Sequence, residues 1–362
     1  MKSKLYNNLK TWPDWQIWTV VVAIIIATAG LIVYQKYYHV FSSDEGVSEE
    51  FDETDQSSIV KSIFDWQKLP SVWGGLISHS SVVFQDKIWV MGGKDKDELS
   101  TNAIWSSSDG ANWVKVSTKN VWPARSSHKS VIFDNKIWVM GGISSTDEQL
   151  NDVWSSSDGL TWTEVTDAAA WPVRADFASI VFDNKIFVMG GWSATSPQGG
   201  EFTHYNDVWS SADGKNWEQF TAEAAWGERA HFSAYTFDSK LFVAGGLASM
   251  PQREYSDIYS SADGKIWSTV GELPEARGAG DIVSANGSLY FIDGYDNDQA
   301  YSYSFYSKDG ISWSQADNAL AGPIRSFHAA AFFKNKIWLI GGTDFTDDKV
   351  NDLWSTEIIG DK

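Results

Sequence analysis

From His128 to Trp162 the chain reads HKSVIFDNKIWVMGGISSTDEQLNDVWSSSDGLTW, one whole unit of a repeat. The apolar run ending at Phe133 meets Asp134-Asn135, two residue types that tolerate φ > 0 and so suit a tight turn between antiparallel strands. Ile137 to Met140 is apolar throughout and ends on Gly141-Gly142. After a polar loop, Asn151 to Ser156 reads as a third strand, Ser157-Asp158-Gly159 as a reversal, and Trp162 falls eight residues after Trp154. The unit predicts four short strands, a to d, joined as a meander.

The same second strand recurs along the chain. It appears as IWVMGG to Gly93, IWVMGG to Gly142, IFVMGG to Gly191, LFVAGG to Gly246, LYFIDG to Gly294 and IWLIGG to Gly342. The intervals are 49, 49, 55, 48 and 48 residues. A period of about 50 with four strands per unit is the signature of propeller blades. The aromatic pair of strands c and d recurs as Trp105 and Trp113, Trp209 and Trp217, Tyr259 and Trp267, and Phe305 and Trp313. The sixth unit stops after Asn351-Asp352-Leu353-Trp354-Ser355 without its reversal or fourth strand. Ser62-Ile63-Phe64-Asp65-Trp66 stands ahead of the first unit, with Trp66 ten residues before Leu76 as Trp267 is ten before Arg277. An N-terminal strand is thus expected to complete the last blade and remove the open sheet edges. The predicted fold is an all-β, six-bladed propeller over residues 61–362.

The glycine pair, the polar loop after it and the aromatic pair resemble the kelch repeat, over about residues 61–362. SSSDGANW, SSSDGLTW, SSADGKNW and SSADGKIW are also similar to a sialidase Asp-box shortened by one residue between Asp and Gly. That turn reads as structural: its Asp accepts backbone N–H bonds and its Trp packs between sheets.

Ahead of the repeats, Ile17 to Tyr34 carries no charge and would span roughly 27 Å as a helix, about the thickness of a bilayer core. Trp12, Trp15 and Trp18 at one end and Tyr34, Tyr37 and Tyr38 at the other suit the headgroup layers. Lys2, Lys4 and Lys10 precede the span and only Lys36 follows closely, which places residues 1–16 in the cytoplasm and the propeller outside it. Ala27-Thr28-Ala29 has a signal-peptidase pattern, but apolar Leu31 to Tyr34 continues past it and fits an anchor over 17–38. Residues 39–60, with seven acids between Asp44 and Asp55, read as a solvated spacer.

With 362 residues, a net charge of -19 and no cysteine, the chain excludes several functions. The charge opposes general binding to nucleic acid. Absent cysteine removes disulfides, thiolate metal sites, cysteine nucleophiles and the cysteine–tyrosine cofactor of a copper oxidase. No cofactor or metal is implied. Asp293, Asp296 and Asp298, like Asp344, Asp347 and Asp348, lack EF-hand spacing and read as solvated charge. His79, His128 and His328 occupy a strand-a position that holds Phe177 and Phe232 in sister units, which favours core packing over metal binding.

The b–c and d–a loops share one end of the ring and vary in length, as recognition loops do. Arg125, Arg174, Arg229, Arg277 and Arg325 stand at the entrance to strand a on that end, with Leu76 in the first unit. Trp122, Trp171 and Trp226 precede three of them, Asp176 and His231 follow two, and Trp192, His204 and Tyr205 lie in the long third loop. Two readings compete. The arginines ring the channel mouth and hold an anion such as a sugar acid or an acidic peptide, or they bond loop carbonyls and acidic neighbours as staples. Kelch resemblance implies a binding module or a protein-interaction scaffold. It also implies a carbohydrate enzyme similar to the kelch proteins that interconvert sialic acid anomers, with Asp176, Glu201 or Glu228 moving a proton, although no nucleophile and acid constellation is recognisable.

Overall fold

Alternation of more and less buried side chains marks most of the strands a, and the near-continuous apolar run of strand b makes it a central strand buried on both faces. In blade 2 the four strands are Lys129–Phe133, Lys136–Ser144, Gln149–Ser156 and Thr163–Thr166, paired antiparallel in that order. Asp134 and Asn135 take φ of 48° and 52°, the left-handed turn that sets Phe133 opposite Lys136. The computed structural model describes residues 64–194, 201–249, 252–295, 303–316, 325–343 and 352–358. Within them, six four-stranded blades repeat this order. The span at 17–38 and the spacer at 39–60 lie outside the described residues, among which no helix is long and apolar enough to cross a membrane.

The sixth blade is completed from the front of the chain. Gln67–Leu69 pairs with Leu353–Glu357, with Gln67 opposite Ser355 and Leu69 opposite Leu353. This strand begins one residue after Trp66, slightly later than the segment that the repeat spacing picks out. Trp66 itself is buried beside Phe64, with ring centroids 5.6 Å apart, in a cluster with Tyr290 and Trp354.

Cores form between blades. Val131, Trp138 and Met140 of blade 2 pack against Phe177, Ile186 and Val188 of blade 3. Each fully buried aliphatic side chain of this kind contributes roughly 1.5–3 kcal/mol. Two families of glycine make the close approach possible. A Cβ at Gly159 or Gly214 of the Asp-Gly reversals would lie within 2.4 Å of Trp89 or Trp138 on the preceding blade. A Cβ at Gly92 or Gly190 would lie 2.6 Å from His128 or Phe232 on the next blade.

Two rings of backbone hydrogen bonds then run around the molecule. The second glycine of each pair donates to the carbonyl at the arginine position of the next blade: Gly93 to Arg125, Gly142 to Arg174, Gly191 to Arg229, Gly246 to Arg277, Gly294 to Arg325 and Gly342 to Leu76. Two residues further along, Ser78, Ser127, Asp176, His231, Ala279 and Phe327 all have φ between 49° and 56°. Each donates its N–H to the carbonyl of its counterpart in the preceding blade, and Ser78 closes the circle on Phe327. This second ring surrounds the channel mouth.

Candidate functional site

The five arginines are fully buried. In blade 2, Arg125 donates to both oxygens of Asp152, at 2.7 and 2.6 Å, and to the Gly141 carbonyl at 3.0 Å. Arg174 repeats this with Asp207 and Gly190, and Arg325 with Asp352 and Gly341. Arg229 pairs with Asp257 and bonds the Gly245 and Trp226 carbonyls. In each case the carboxylate stands two residues before the strand-c aromatic of the same blade. Where sequence spacing suggested a ring of guanidinium groups at the mouth, the structure has arginines pinning strand a to strands b and c within a blade. None lines the channel cavity. The physical reason is that a buried guanidinium needs a charged, planar partner, and strand c supplies one.

Blade 5 departs from this pattern. Tyr303 stands where the aspartate would be, and Arg277 donates to the Tyr303 and Asp293 carbonyls while Glu275 lies 3.7 Å away. Asp293 replaces the first glycine of the pair. It is buried to 1% exposure, not solvated, and burial raises its pKa to about 7 against the pull of Arg325 and Arg277.

Trp122, Trp171 and Trp226 are also core residues. Each packs on the strand-a ring of its blade, His128, Phe177 or Phe232, and edge-on against Trp162, Trp217 or Trp267. Tyr205 covers a staple, its ring 4.4 Å from the Arg174 guanidinium, and shares a 2.7 Å hydrogen bond with Ser193. The Asp-Gly reversals are structural as well: Ile311 and Ser312 N–H groups hold Asp309 down to about 2.

What remains at the mouth is a different set. Asp176 accepts a hydrogen bond from Trp192 Nε1 at 2.9 Å, and its other oxygen lies 3.6 Å from His231 Nδ1. Burial keeps the His231 pKa below its usual value, although Asp176 pulls upward. The imidazole is therefore neutral at pH 7. Phe327 lies edge-on to His231 at 5.4 Å and tilted against Tyr295 at 5.4 Å, while Phe202 meets Trp192 at 5.5 Å. His204, whose pKa burial and then His231 lower, stands two residues after Phe202 in the chain. Trp192, Asp176, His231, Phe327 and Tyr295 come from four blades and are each partly exposed. Below them the channel encloses about 220 Å³, walled by strand a of every blade. A second hollow of about 460 Å³ lies beside Trp226, Tyr255 and Tyr259, apart from the channel. Among the described residues no histidine and acid cluster is arranged to hold a metal.

The profile described as the KLHDC2/KLHL20/DRC7 Kelch-repeats domain matches residues 78–270, more than half of the chain. The chain belongs to the kelch-repeat family. Among solved structures, the one titled "Structure of YjhT" superposes with a TM-score of 0.64 at 16% identity, covering 79% of this chain and 95% of that one. At that identity the likeness supports the propeller fold. No curated protein matches the sequence.

Of the mouth residues in this kelch propeller, Asp176, His231 and Trp192 were picked out by sequence, whereas Tyr295, Phe327 and the channel's Lys129 were not. A usable signal was present. Asp176, His231 and Phe327 occupy one repeat position, two after the arginine, and that position holds Ser78, Ser127 and Ala279 in the other blades.

Proposed function

We propose that this kelch propeller is a binding module whose ligand is a single carbohydrate ring, a sugar acid foremost, received at the channel mouth by Asp176, Trp192, His231 and Phe327. The observation that carries this reading is the convergence on one rim of a carboxylate oriented by an indole N–H, a neutral imidazole and aromatic faces. Sugar recognition needs apolar ring faces together with a few fixed hydrogen-bonding groups. The five arginines are neutralised or bonded inside the blades, so Lys129 is the one lysine or arginine lining the cavity among the described residues and the natural partner of a ligand carboxylate. The cavity is smaller than a drug-sized pocket of roughly 300–1,000 Å³, which favours a monosaccharide over an acidic peptide. Isothermal titration of the detergent-solubilised protein with glucuronic and galacturonic acids tests it. Asp176→Asn and Trp192→Ala should each weaken binding at least tenfold, and unchanged affinity in both would remove the site from the mouth.

A second reading follows from the Asp176 and His231 pair. A carboxylate and a neutral imidazole 3.6 Å apart can exchange a proton with a bound sugar, taking it from the anomeric hydroxyl and returning it at the ring oxygen. Anomer exchange measured by NMR distinguishes the two: a rate above the uncatalysed one, lost in His231→Gln, supports catalysis. We further propose that residues 17–38 anchor the chain and that the propeller faces the periplasm or exterior. Protease added to spheroplasts should then release a fragment of about 300 residues, the expected consequence of positive-inside topology.

A further inference from the structure

In a repeat, positions that agree between blades build the ring, and positions that depart from the repeat are where a ligand site is sought. The first channel-wall residue of strand a is Ser80, Lys129, Ala178, Ser233, Asp281 and Ala329 in blades 1 to 6. Four are small. The two charged ones sit on blades 2 and 5, opposite one another in a six-bladed ring, and both line the channel cavity.

No ion pair or hydrogen bond engages the Lys129 ammonium among the described residues, in a protein with a net charge of -19. Asp281 accepts one hydrogen bond, from the Ala330 N–H to Oδ2 at 2.8 Å, which fixes the carboxylate and leaves Oδ1 for another donor. The small side chains between them keep the space open. The other titratable groups lining the channel are His79, His128, His231 and His328, all held neutral chiefly by burial, and Asp176 on the rim. Burial also raises the Asp281 pKa while Lys129 lowers it, so the two charges act on each other across the channel.

We propose that Lys129 and Asp281 form a bipolar subsite for a small zwitterion, with the ligand carboxylate on Lys129 and the ligand ammonium on Asp281. It rests on the reading that ligands enter at the mouth, and it names their class: an amino sugar acid or a simple amino acid. A lone anion would leave the Asp281 charge facing it, and a lone cation would meet Lys129. Only a molecule carrying both charges satisfies both walls.

The test is calorimetric titration of the full-length protein in mild detergent with muramic acid, its N-acetyl derivative, glucosamine and glycine. Muramic acid should bind at least tenfold more tightly than N-acetylmuramic acid or glucosamine. Asp281→Asn should remove that preference without weakening N-acetylmuramic acid, and Lys129→Met should weaken both acids at least tenfold. Unchanged melting temperatures check that each variant is folded. Equal binding of the two muramic acids, no effect of Asp281→Asn, or no binding of either muramic acid or glycine overturns the proposal. If Asp176→Asn abolishes sugar binding while no zwitterion preference exists, the mouth reading survives and this one fails. If glycine binds through Lys129 and Asp281 while no sugar binds, the subsite survives and the sugar reading fails.

Discussion

Removing Asp207 should isolate a buried guanidinium. Its carboxylate receives two hydrogen bonds from Arg174, at 2.7 and 2.8 Å, and one from Trp209 Nε1 at 2.7 Å. In Asp207→Ala, Arg174 would keep the Gly190 and Pro172 carbonyls, at 2.8 and 3.1 Å, with no charge to offset its own. Breaking a buried pair from one side costs about 3–5 kcal/mol, whereas replacing both members with apolar residues is often neutral. Blade 1 already carries the apolar solution, with Leu76 and Ala103 at the two positions and Leu76 buried. The double variant Arg174→Leu/Asp207→Ala should therefore recover most of the loss, with a coupling of roughly 2–4 kcal/mol. Urea unfolding followed by tryptophan fluorescence gives both numbers. A single variant within about 0.5 kcal/mol of wild type, the range of an ordinary surface change, would refute the staple, as would a double variant no better than the single.

Further expectations concern closure and pH. Trp66→Ala should cost about 3–5 kcal/mol, as truncation of a large core ring does, and an unchanged melting profile would mean the ring closes without it. Burial holds His79 down to about 3 and His128 and His328 well below the usual value. The unfolded chain then binds more protons, so their contribution is whole above pH 6.5 and falls below it by about 1.4 kcal/mol per unit for each histidine. Asp293 acts with the opposite sign, because its raised pKa stabilises the fold most at low pH and less as pH rises toward 7. Asp293→Asn should steepen the acid loss, and an unaltered slope in a pH series of melts would show that Asp293 does not titrate there.

Most of the architecture was legible because it repeats. The Gly-Gly strand, the Asp-Gly reversal and the missing fourth strand after Ser355 each mark a backbone requirement that few residues meet. The site was less legible because recurrence draws attention to the wrong residues. Arg125 and its counterparts recur as part of the scaffold, and a paired departure showed it: blade 1 lacks both the arginine, at Leu76, and the aspartate, at Ala103. Asp293 reads as a loop charge in the sequence because nothing local distinguishes a carboxylate held between Arg277 and Arg325 from a solvated one. Phe327 meets His231, nearly a hundred positions earlier, only because the blades converge on the channel mouth, and Tyr295 joins them through its contact with Phe327.

The proposed division of labour has arginines holding the blades and the rim at Asp176 binding ligand. Titration of a hexuronic acid into wild type, Asp176→Asn/Trp192→Ala and Arg174→Leu/Asp207→Ala tests that division in one experiment. The rim variant should lose at least tenfold in affinity, about 1.4 kcal/mol, while the staple variant binds as wild type. Loss of binding in a folded staple variant, with the rim variant unaffected, would contradict it.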